Sequence, residues 1–243
     1  MRKIAIALSL FIVIIFLLGI LLGFYLMPRK TVEVDKTDKI ITSSAFRELS
    51  IVGVDNSGKG VYAKIIVDVK PGTGLVLVNI NDLLADYLTQ LSARTAAKVA
   101  SNFTNLNLSS IDIIYNIKAN AVIIEGPSAG AAMTLATIAA LQNRTINNSI
   151  FITGTIEENG TIGLVSGIGE KAKAAKENNA TLFLIPEARY LVGYDKVKKC
   201  NDLNGINYCQ INYLPKKFEL SELLKLEIKQ VRTIKEAADY III

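Results

Sequence analysis

The chain has 243 residues, of which 51% are hydrophobic and none is histidine, and its formal net charge at pH 7 is +5. This length accommodates one or two domains with a buried core, and the hydrophobic fraction excludes a disordered chain. The absence of histidine excludes a Ser-His-Asp triad within the chain. The positive charge does not indicate a nucleic-acid partner, because basic residues alternate with acidic ones and no stripe of aromatic and basic residues is present.

The N-terminal segment 4–27, IAIALSLFIVIIFLLGILLGFYLM, carries no charge over 24 residues. As a helix it would be about 36 Å long, enough to cross a hydrocarbon core of about 30 Å with some tilt. A cleaved signal peptide is the alternative, but its apolar region is usually only about 7–15 residues and ends at small residues. We therefore expect a transmembrane anchor over 1–27 in contact with membrane lipid, followed by a polar tether over 28–45.

Two kinds of evidence disagree about the side of the membrane on which the remaining chain lies. Basic residues are more numerous after the apolar segment than before it, which favours a cytoplasmic domain. Six N-x-[ST] triplets, against about two expected by chance, favour a glycosylated extracytoplasmic surface. They begin at Asn102, Asn107, Asn143, Asn147, Asn159 and Asn179. Cys200 and Cys209 are also compatible with a small disulfide loop outside the cytosol, and we expect the extracytoplasmic side.

Hydrophobic periodicity from residue 46 onward predicts a mixture of hairpins, strands and packing helices, hence an α+β domain over 46–243. In chain order the prediction is strands over 49–54, 61–69 and 75–80, a helix over 81–101 capped by Asn81 or Asp82, strands over 111–117 and 120–125, a helix over 129–142, a strand over 149–156, a helix over 169–179, strands over 181–186 and 226–231, and a helix over 233–241. Residues 193–218 are polar, and we expect an irregular surface insertion there.

The stretch GVDNSGKG (53–60) nearly matches the phosphate loop G-x-x-x-x-G-K-[ST] of nucleotide-binding enzymes. Its last position is Gly60 rather than Ser or Thr, and the segment that follows has a strand pattern, whereas a phosphate loop opens a helix. The stretch is therefore predicted to be the turn of a β-hairpin, and no ATPase motif is identified.

Ser128 lies in EGPSAGAAM (125–133), where a predicted strand ends and a buried helix begins. Small neighbours would let a polypeptide approach, and the helix N-terminus would favour an oxyanion. The neighbours assigned to this substrate and oxyanion region are Gly126, Pro127, Ala129 and Gly130. Serine is also a common helix cap, and glycine-serine turns bind phosphate, so the motif alone leaves nucleophile, cap and phosphate loop open.

Without histidine, a nucleophilic serine needs a lysine or carboxylate as its base. A lysine qualifies where burial lowers its pKa and the neutral amine is accessible near neutral pH. Lys171 lies early in a predicted helix that also carries Lys173 and Lys176. The pattern of residues does not distinguish these three lysines.

The segment 125–133 resembles the DGPSAG signature of the Lon protease proteolytic domain, a family that uses a Ser–Lys dyad. In that family the serine precedes a Thr-Gly pair by 25 residues and the lysine by 43, which are the intervals from Ser128 to Thr153 and to Lys171. The resemblance continues through NGTIGLVSGIGEK (159–171) and covers roughly residues 46–241. Within that family the chain resembles archaeal-type membrane-anchored Lon-like proteases without an ATPase domain.

The resemblance implies a ribosomal protein S5 domain 2-like fold and a role for each matching residue. Ser128 would be the nucleophile and Lys171 the general base, with Thr153 orienting the lysine amine. Glu125, where the family usually has Asp, would modulate the dyad.

The implied activity is that of a membrane-anchored serine endopeptidase that hydrolyses polypeptides without its own ATPase, without cofactor or metal, and as a homo-oligomeric ring. Two alternatives stay open: a catalytically silent membrane-tethered scaffold on the same fold, and a nucleotide-phosphate loop at GPSAG as in some small-molecule kinases.

Overall fold

The computed structural model describes residues 16–19, 43–79, 85–119, 126–188, 194–203, 206–215 and 220–243. The chain divides into two compact units, Met1–Asp35 and Lys36–Ile243. In the first unit, residues 16–19 are helical and exposed, and the rest of the predicted anchor lies outside the described residues. Within the described ranges, no helix is both long and apolar enough to cross a membrane.

The second unit is built around a four-stranded sheet in the order β1-β2-β4-β3. Its strands are β1 (Ala45–Val54), β2 (Gly60–Pro71), β3 (Val76–Asn79) and β4 (Ile111–Ala119). β2 is antiparallel to β1 and to β4, whereas β3 runs parallel to β4. Alternate residues of β2 and β4 are buried, so one face of this sheet contributes to the main core.

Two helices pack with that face, α1 (Tyr87–Thr104) and α2 (Gly130–Gln142). The first twelve residues of α2, Gly130 to Leu141, are all buried, as expected for a helix that is apolar on every side. Its two internal hydroxyls are satisfied by bonds one turn back, from Thr134 Oγ1 to Gly130 O and from Thr137 Oγ1 to Met133 O. α2 is therefore a rigid central element, and residues next to its N-terminus are held in a fixed position.

The remaining elements follow α2 along the chain. They are β5 (Ile150–Ile152), β6 (Thr155–Ile156), β7 (Ile162–Gly163), α3 (Ile168–Glu177), β8 (Leu182–Pro186), β9 (Tyr194–Leu203), β10 (Ile206–Pro215), α4 (Leu220–Leu224), β11 (Glu227–Val231) and α5 (Ile234–Ile241). β11, β8 and β5 form a parallel sheet, and β6 pairs with β7. A second core cluster joins α3 to β8 and to Val52 of β1.

The turn between β1 and β2 confirms the hairpin prediction for residues 53–60. Asp55 Oδ1 accepts bonds from the backbone N–H groups of Ser57 at 2.9 Å and Lys59 at 3.0 Å, which closes the turn. Val54 then pairs with Gly60 in the antiparallel register. The glycine-rich stretch therefore opens a strand, not the helix that a phosphate loop requires.

Two predicted boundaries were wrong. The helix predicted over 81–101 begins later than predicted, at Tyr87. The Asp86 side chain accepts the N–H of Thr89 and caps α1, so residues 85 and 86 precede the helix. Residues 81–84, including Asn81 and Asp82, lie outside the described residues. The strand predicted over 149–156 is two short strands, interrupted at 153–154. There the N–H of Thr153 donates to Leu184 O and the N–H of Gly154 donates to Ser128 O.

The segment 193–218, predicted to be irregular, contains the antiparallel hairpin of β9 and β10. Leu203 pairs with Ile206, and the sequence between these two residues is the dipeptide Asn-Gly. Asn-Gly is the preferred dipeptide for such a connection, and it was the available signal for a hairpin. Cys200 and Cys209 face each other in this register and form a disulfide bond.

The predictions of the α2, α3, β8, β11 and α5 segments are confirmed to within a few residues. Thr233, the predicted first residue of α5, is its cap, and the helix begins at Ile234. The strand predicted over 120–125 lies outside the described residues. The mixture of sheets and helices fits the predicted α+β class.

Candidate active site

Ser128 lies in a tight turn that leads into α2. Gly126 has a φ of +98°, a conformation that side chains other than glycine's rarely adopt. Pro127 is the first residue of a single 3₁₀ turn, Pro127–Ala129, and its restricted φ is suited to that position. The sequence Gly-Pro-Ser therefore sets the backbone that presents the half-buried Ser128 side chain at the N-terminus of α2.

The N-terminal half of α1 holds this turn from one side. Asp86 Oδ2 accepts the N–H of Gly126 at 3.2 Å, Thr89 Oγ1 donates to Gly126 O at 3.3 Å, and Ser92 Oγ donates to Pro127 O at 3.4 Å. Burial acts to raise the pKa of the Asp86 carboxyl, but hydrogen bonds from Thr89 and Gly126 outweigh it and leave that pKa below its ordinary value. The carboxylate is therefore ionised at neutral pH and keeps both contacts.

The segment between β5 and β6 holds the turn from the other side. The N–H of Gly154 donates to Ser128 O at 2.9 Å, and Gly154 O accepts the N–H of Ala131 at 3.1 Å. Thr153 is anchored in turn, because its N–H donates to Leu184 O of β8 at 3.1 Å. The interruption of the strand at 153–154 is thus the feature that joins the Ser128 turn to the parallel sheet.

Lys171 approaches the same region from α3, and its side chain is almost fully buried, with 4% of the residue exposed. α3 lies close against β2, since a Cβ on Gly60 would come within 2.1 Å of Glu170 O. Burial lowers the pKa of Lys171 from 10.5 to about 8. Among the described residues no carboxylate pairs with it, so roughly a tenth of the amine is neutral one pH unit below this pKa, far more than for an ordinary lysine.

Thr153 connects the lysine to the serine turn. Lys171 Nζ donates to Thr153 Oγ1 at 3.2 Å, and Thr153 Oγ1 donates to Ser128 O at 3.4 Å. A hydroxyl has one proton, and here it goes to the carbonyl of Ser128, so its oxygen is left to accept from the lysine. This arrangement orients the amine while leaving the nitrogen lone pair of a neutral lysine available.

A cavity of about 310 Å³ lies in front of these groups, and both Ser128 and Lys171 line it. Its other walls come from the end of β1, from the Ser128 turn, from β6 and from the segment after β7. They are Gly53, Val54, Gly126, Pro127, Thr155, Leu164, Val165 and Ser166. The cavity therefore combines three hydroxyl groups, those of Ser128, Thr155 and Ser166, with one amine in a space that can admit part of a peptide.

The structure brings together most of the residues that the sequence singled out. Ser128, Lys171, Gly126 and Pro127 line the cavity, and Thr153 lies behind it between the other two polar groups. Ala129 lines a smaller adjoining cavity, and the N–H of Gly130 is occupied by Pro127 O. Glu125 lies outside the described residues. Within the described ranges no group of Cys, Asp and Glu side chains is placed to hold a metal ion.

Three residues of this region were not predicted from the sequence: Asp86, Thr89 and Ser92. Their spacing of three places them on one face of α1. The available signal was a row of small polar side chains at helical spacing, on a helix whose other buried positions are mostly alanine.

A model of the Lon protease (S16) C-terminal proteolytic domain matches residues 72–194, about half of the chain. The chain belongs to this family. The matched segment contains Ser128, Thr153 and Lys171 as well as α1 with its three polar contacts, and it ends at the first residue of β9. The predicted resemblance to Lon is therefore confirmed, and the family supports the predicted enzyme class, a serine endopeptidase.

Similar proteins include archaeal and bacterial Lon proteases. The archaeal Lon protease of Methanocaldococcus jannaschii is 30% identical over 152 residues, which cover 59% of this chain and 23% of that protein. The archaeal Lon protease of Thermoplasma volcanium is 25% identical over 175 residues, 66% of this chain and 26% of that protein. The Lon protease of Desulfatibacillum aliphaticivorans is 35% identical over 104 residues, 40% of this chain and 13% of that protein. The chain thus matches about a quarter or less of the length of these relatives.

Proposed function

We propose that this chain is a membrane-anchored Lon-type serine endopeptidase that hydrolyses peptide bonds through Ser128 and Lys171. The observation that carries the proposal is that a buried lysine, without an ion-pair partner among the described residues, lines the same cavity as Ser128. Such a lysine can act as a base near neutral pH, which the exposed Lys173 on the same helix cannot.

The reaction begins with the neutral amine of Lys171. As Ser128 Oγ attacks the carbonyl carbon of the scissile bond, its proton passes to Lys171 Nζ and a tetrahedral oxyanion forms. The lysine ammonium then gives this proton to the leaving amine, the C–N bond breaks, and an acyl-enzyme ester remains. Water attacks the ester, again giving its proton to Lys171, and release of the carboxyl product returns the proton to Ser128 Oγ.

The surroundings of the dyad support each of these steps. The bond from Lys171 to Thr153 keeps the amine near the serine turn while its lone pair is free. Ser128 lies just before the N-terminus of α2, so the positive end of the helix dipole would favour an oxyanion formed beside it. The hydrogen bonds from α1 and from Gly154 hold the turn rigid, so little reorganisation is needed when charge develops.

The substrate class that we propose is an unfolded or flexible polypeptide. Because the hairpin at 53–60 supplies no phosphate loop, folded substrates would depend on a separate unfolding partner. Family resemblance implies that the chain acts as a homo-oligomeric ring. No nucleic acid, metal or cofactor enters the proposed reaction.

The location that we propose is the membrane, through the apolar segment 4–27, with the protease unit on the extracytoplasmic side. The disulfide between Cys200 and Cys209 is typical of an oxidising compartment. Four of the six glycosylation triplets have an exposed acceptor: Asn102, Asn143, Asn159 and Asn179. Digestion of intact cells by an added protease, together with measurement of a glycan mass shift, tests on which side of the membrane the protease unit lies. A unit that is protected from digestion and carries no glycan would contradict the extracytoplasmic location.

The dyad is tested on the full chain in detergent with casein as substrate. Ser128→Ala and Lys171→Ala should each abolish hydrolysis, whereas Lys173→Ala, a change of the same type on the exposed side of α3, should not. A fluorophosphonate probe should label the chain at Ser128. Activity near the unsubstituted level in both dyad variants would exclude this mechanism, and absence of both labelling and hydrolysis would favour the silent scaffold.

A further inference from the structure

A second and much smaller cavity adjoins the active-site cavity at Ser128. Its volume is about 20 Å³, and it shares Gly53, Gly126 and Ser128 with the larger one. Its other described walls are Ile51, Val52, Thr89, Ile117, Ala129 and Ile152. Because both cavities are lined by Ser128, the small one is within reach of a side chain next to a carbonyl group bound at Ser128 Oγ.

The walls of this small cavity are apolar. Ile51, Ile117 and Ile152 come from three different strands, β1, β4 and β5. Among the described walls, the one polar side chain apart from Ser128 is Thr89, and its hydroxyl already donates to Gly126 O. A charged or hydrogen-bonding side chain would therefore find no partner among the described walls, and burial without a partner is costly.

The walls also have little freedom to move apart. The three isoleucines are each 5% exposed or less, and they belong to strands paired within the sheets. Side chains in a close-packed protein core resist the insertion of extra methylene groups. A space that holds one water requires about 10–15 Å³, and a methyl group is of similar size, so the cavity accommodates little more than one methyl group.

We infer that this cavity binds the side chain of the P1 residue, the substrate residue that supplies the carbonyl group of the cleaved bond. We infer further that it selects alanine or residues of similar size. This inference rests on the proposed peptidase function. Gly53 and Gly126 stand at the mouth without side chains, which leaves room for the substrate backbone beside them. Leucine and phenylalanine in the same position would press against the isoleucine walls. An extra methylene in such a pocket changes kcat/KM by about 10- to 200-fold.

The inference is tested with a set of peptide aminomethylcoumarin amides that differ only in the last residue: alanine, leucine or phenylalanine. We expect kcat/KM for the alanine peptide to exceed that for either of the others by at least about tenfold. A matching set of peptide diphenyl phosphonates measures the rate of covalent labelling at Ser128, so the preference is measured even if turnover is slow. Both measurements use the full chain in detergent.

Enlarging the cavity should reverse the preference. Ile117→Ala removes one wall, and we expect the leucine substrate to gain at least tenfold relative to alanine. Ile152→Val is a milder change that should shift the ratio in the same direction if Ile117→Ala folds poorly. Ile114→Ala is the matched control, because it lies on the same strand with its side chain on the opposite face, and the ratio should not change.

The outcomes separate this inference from the function on which it rests. If Ser128 is labelled and hydrolysis is lost in Ser128→Ala, but leucine or phenylalanine substrates react as fast as alanine, the size selection is overturned and the peptidase function stands. If no substrate is cleaved and no phosphonate labels Ser128, the proposed function fails and the inference fails with it.

Discussion

The Ser128 turn and the β9–β10 hairpin are held in opposite ways, although both are short segments between regular elements. The turn is bonded on one side by Asp86, the cap of α1, and by two side chains of α1, and on the other by the backbone of Gly154. The hairpin forms a two-stranded sheet of its own, closed by a disulfide, and residues 196–200 and 209–211 are exposed. None of its described residues belongs to either core cluster.

This difference separates the part of the molecule that sets chemistry from a part that can vary. A catalytic turn must be fixed to within fractions of an ångström, which requires bonds from several elements. An isolated two-stranded hairpin is only marginally stable in water, and a disulfide can stabilise a hairpin that contributes none of its described residues to a core. Changes near the turn should therefore affect activity strongly, and changes in the hairpin should affect it little.

The largest effect is expected from Lys171→Met, which removes the base but preserves most of the buried volume. Peptide hydrolysis should fall by about a hundredfold to ten-thousandfold. Stability should rise by up to roughly 3 kcal/mol at pH 7, because the unfolded chain keeps this proton up to pH 10.5 and the folded chain only up to about 8. Urea unfolding at pH 7 and at pH 10.5 measures this, and the gain should be present below pH 8 and vanish by pH 10.5. An inactive variant that is less stable at pH 7 would contradict the cost assigned to the buried amine.

The next largest effect is expected from pH. Because the neutral amine is the base and the pKa of Lys171 is about 8, kcat/KM should rise about tenfold per pH unit below 8 and level off above it. A pH profile on one peptide substrate, with buffers matched for ionic strength, measures the apparent pKa. A flat profile between pH 6 and 9 would mean that another group takes the proton.

Thr153→Val should come third. The change preserves shape but removes the oxygen that accepts from Lys171 Nζ, so the amine loses its orientation and kcat should fall about 10- to 100-fold. Thr153→Ser retains the hydroxyl and serves as the control. Equal losses in the two variants would indicate that packing, not the hydrogen bond, is what matters at this position.

A smaller effect is expected from Asp86→Ala, which removes both the cap of α1 and the acceptor for Gly126 N–H. Loss of a cap usually costs about 1 kcal/mol, and kcat should fall less than tenfold because Thr89 and Ser92 still hold the turn. Thermal unfolding and single-turnover kinetics measure the two parts. Asp86→Asn retains a capping oxygen, so it should preserve stability better than Asp86→Ala.

The smallest effect is expected in the hairpin. Replacing both cysteines, Cys200→Ser with Cys209→Ser, should change peptide hydrolysis by less than about twofold while making residues 194–215 more susceptible to limited proteolysis. A loss of activity as large as that of Thr153→Val would connect the hairpin to the active site and end the contrast between the two regions.

Much of this molecule follows from local patterns. The hairpin at 53–60 was predicted because its turn chemistry and strand alternation act over a few residues. The buried helix α2 was predicted because a run of apolar residues without any charge has no exposed face. The start of α1 was not predicted, because Asn81 and Asp82 are equally good caps when the sequence is considered locally. The position of the cap at Asp86 also depends on its hydrogen bond with the distant Gly126.

The sequence by itself determined the glycine-proline-serine turn, the helix that follows it and the intervals from Ser128 to Thr153 and Lys171. Only the tertiary structure decided that Lys171 is buried while Lys173 is exposed, since burial depends on which face of α3 meets β1 and β2. It also decided that α1 bonds the serine turn and that three isoleucines from separate strands leave a space of one methyl group beside Ser128. These features arise from contacts between residues tens of positions apart, which no local pattern records.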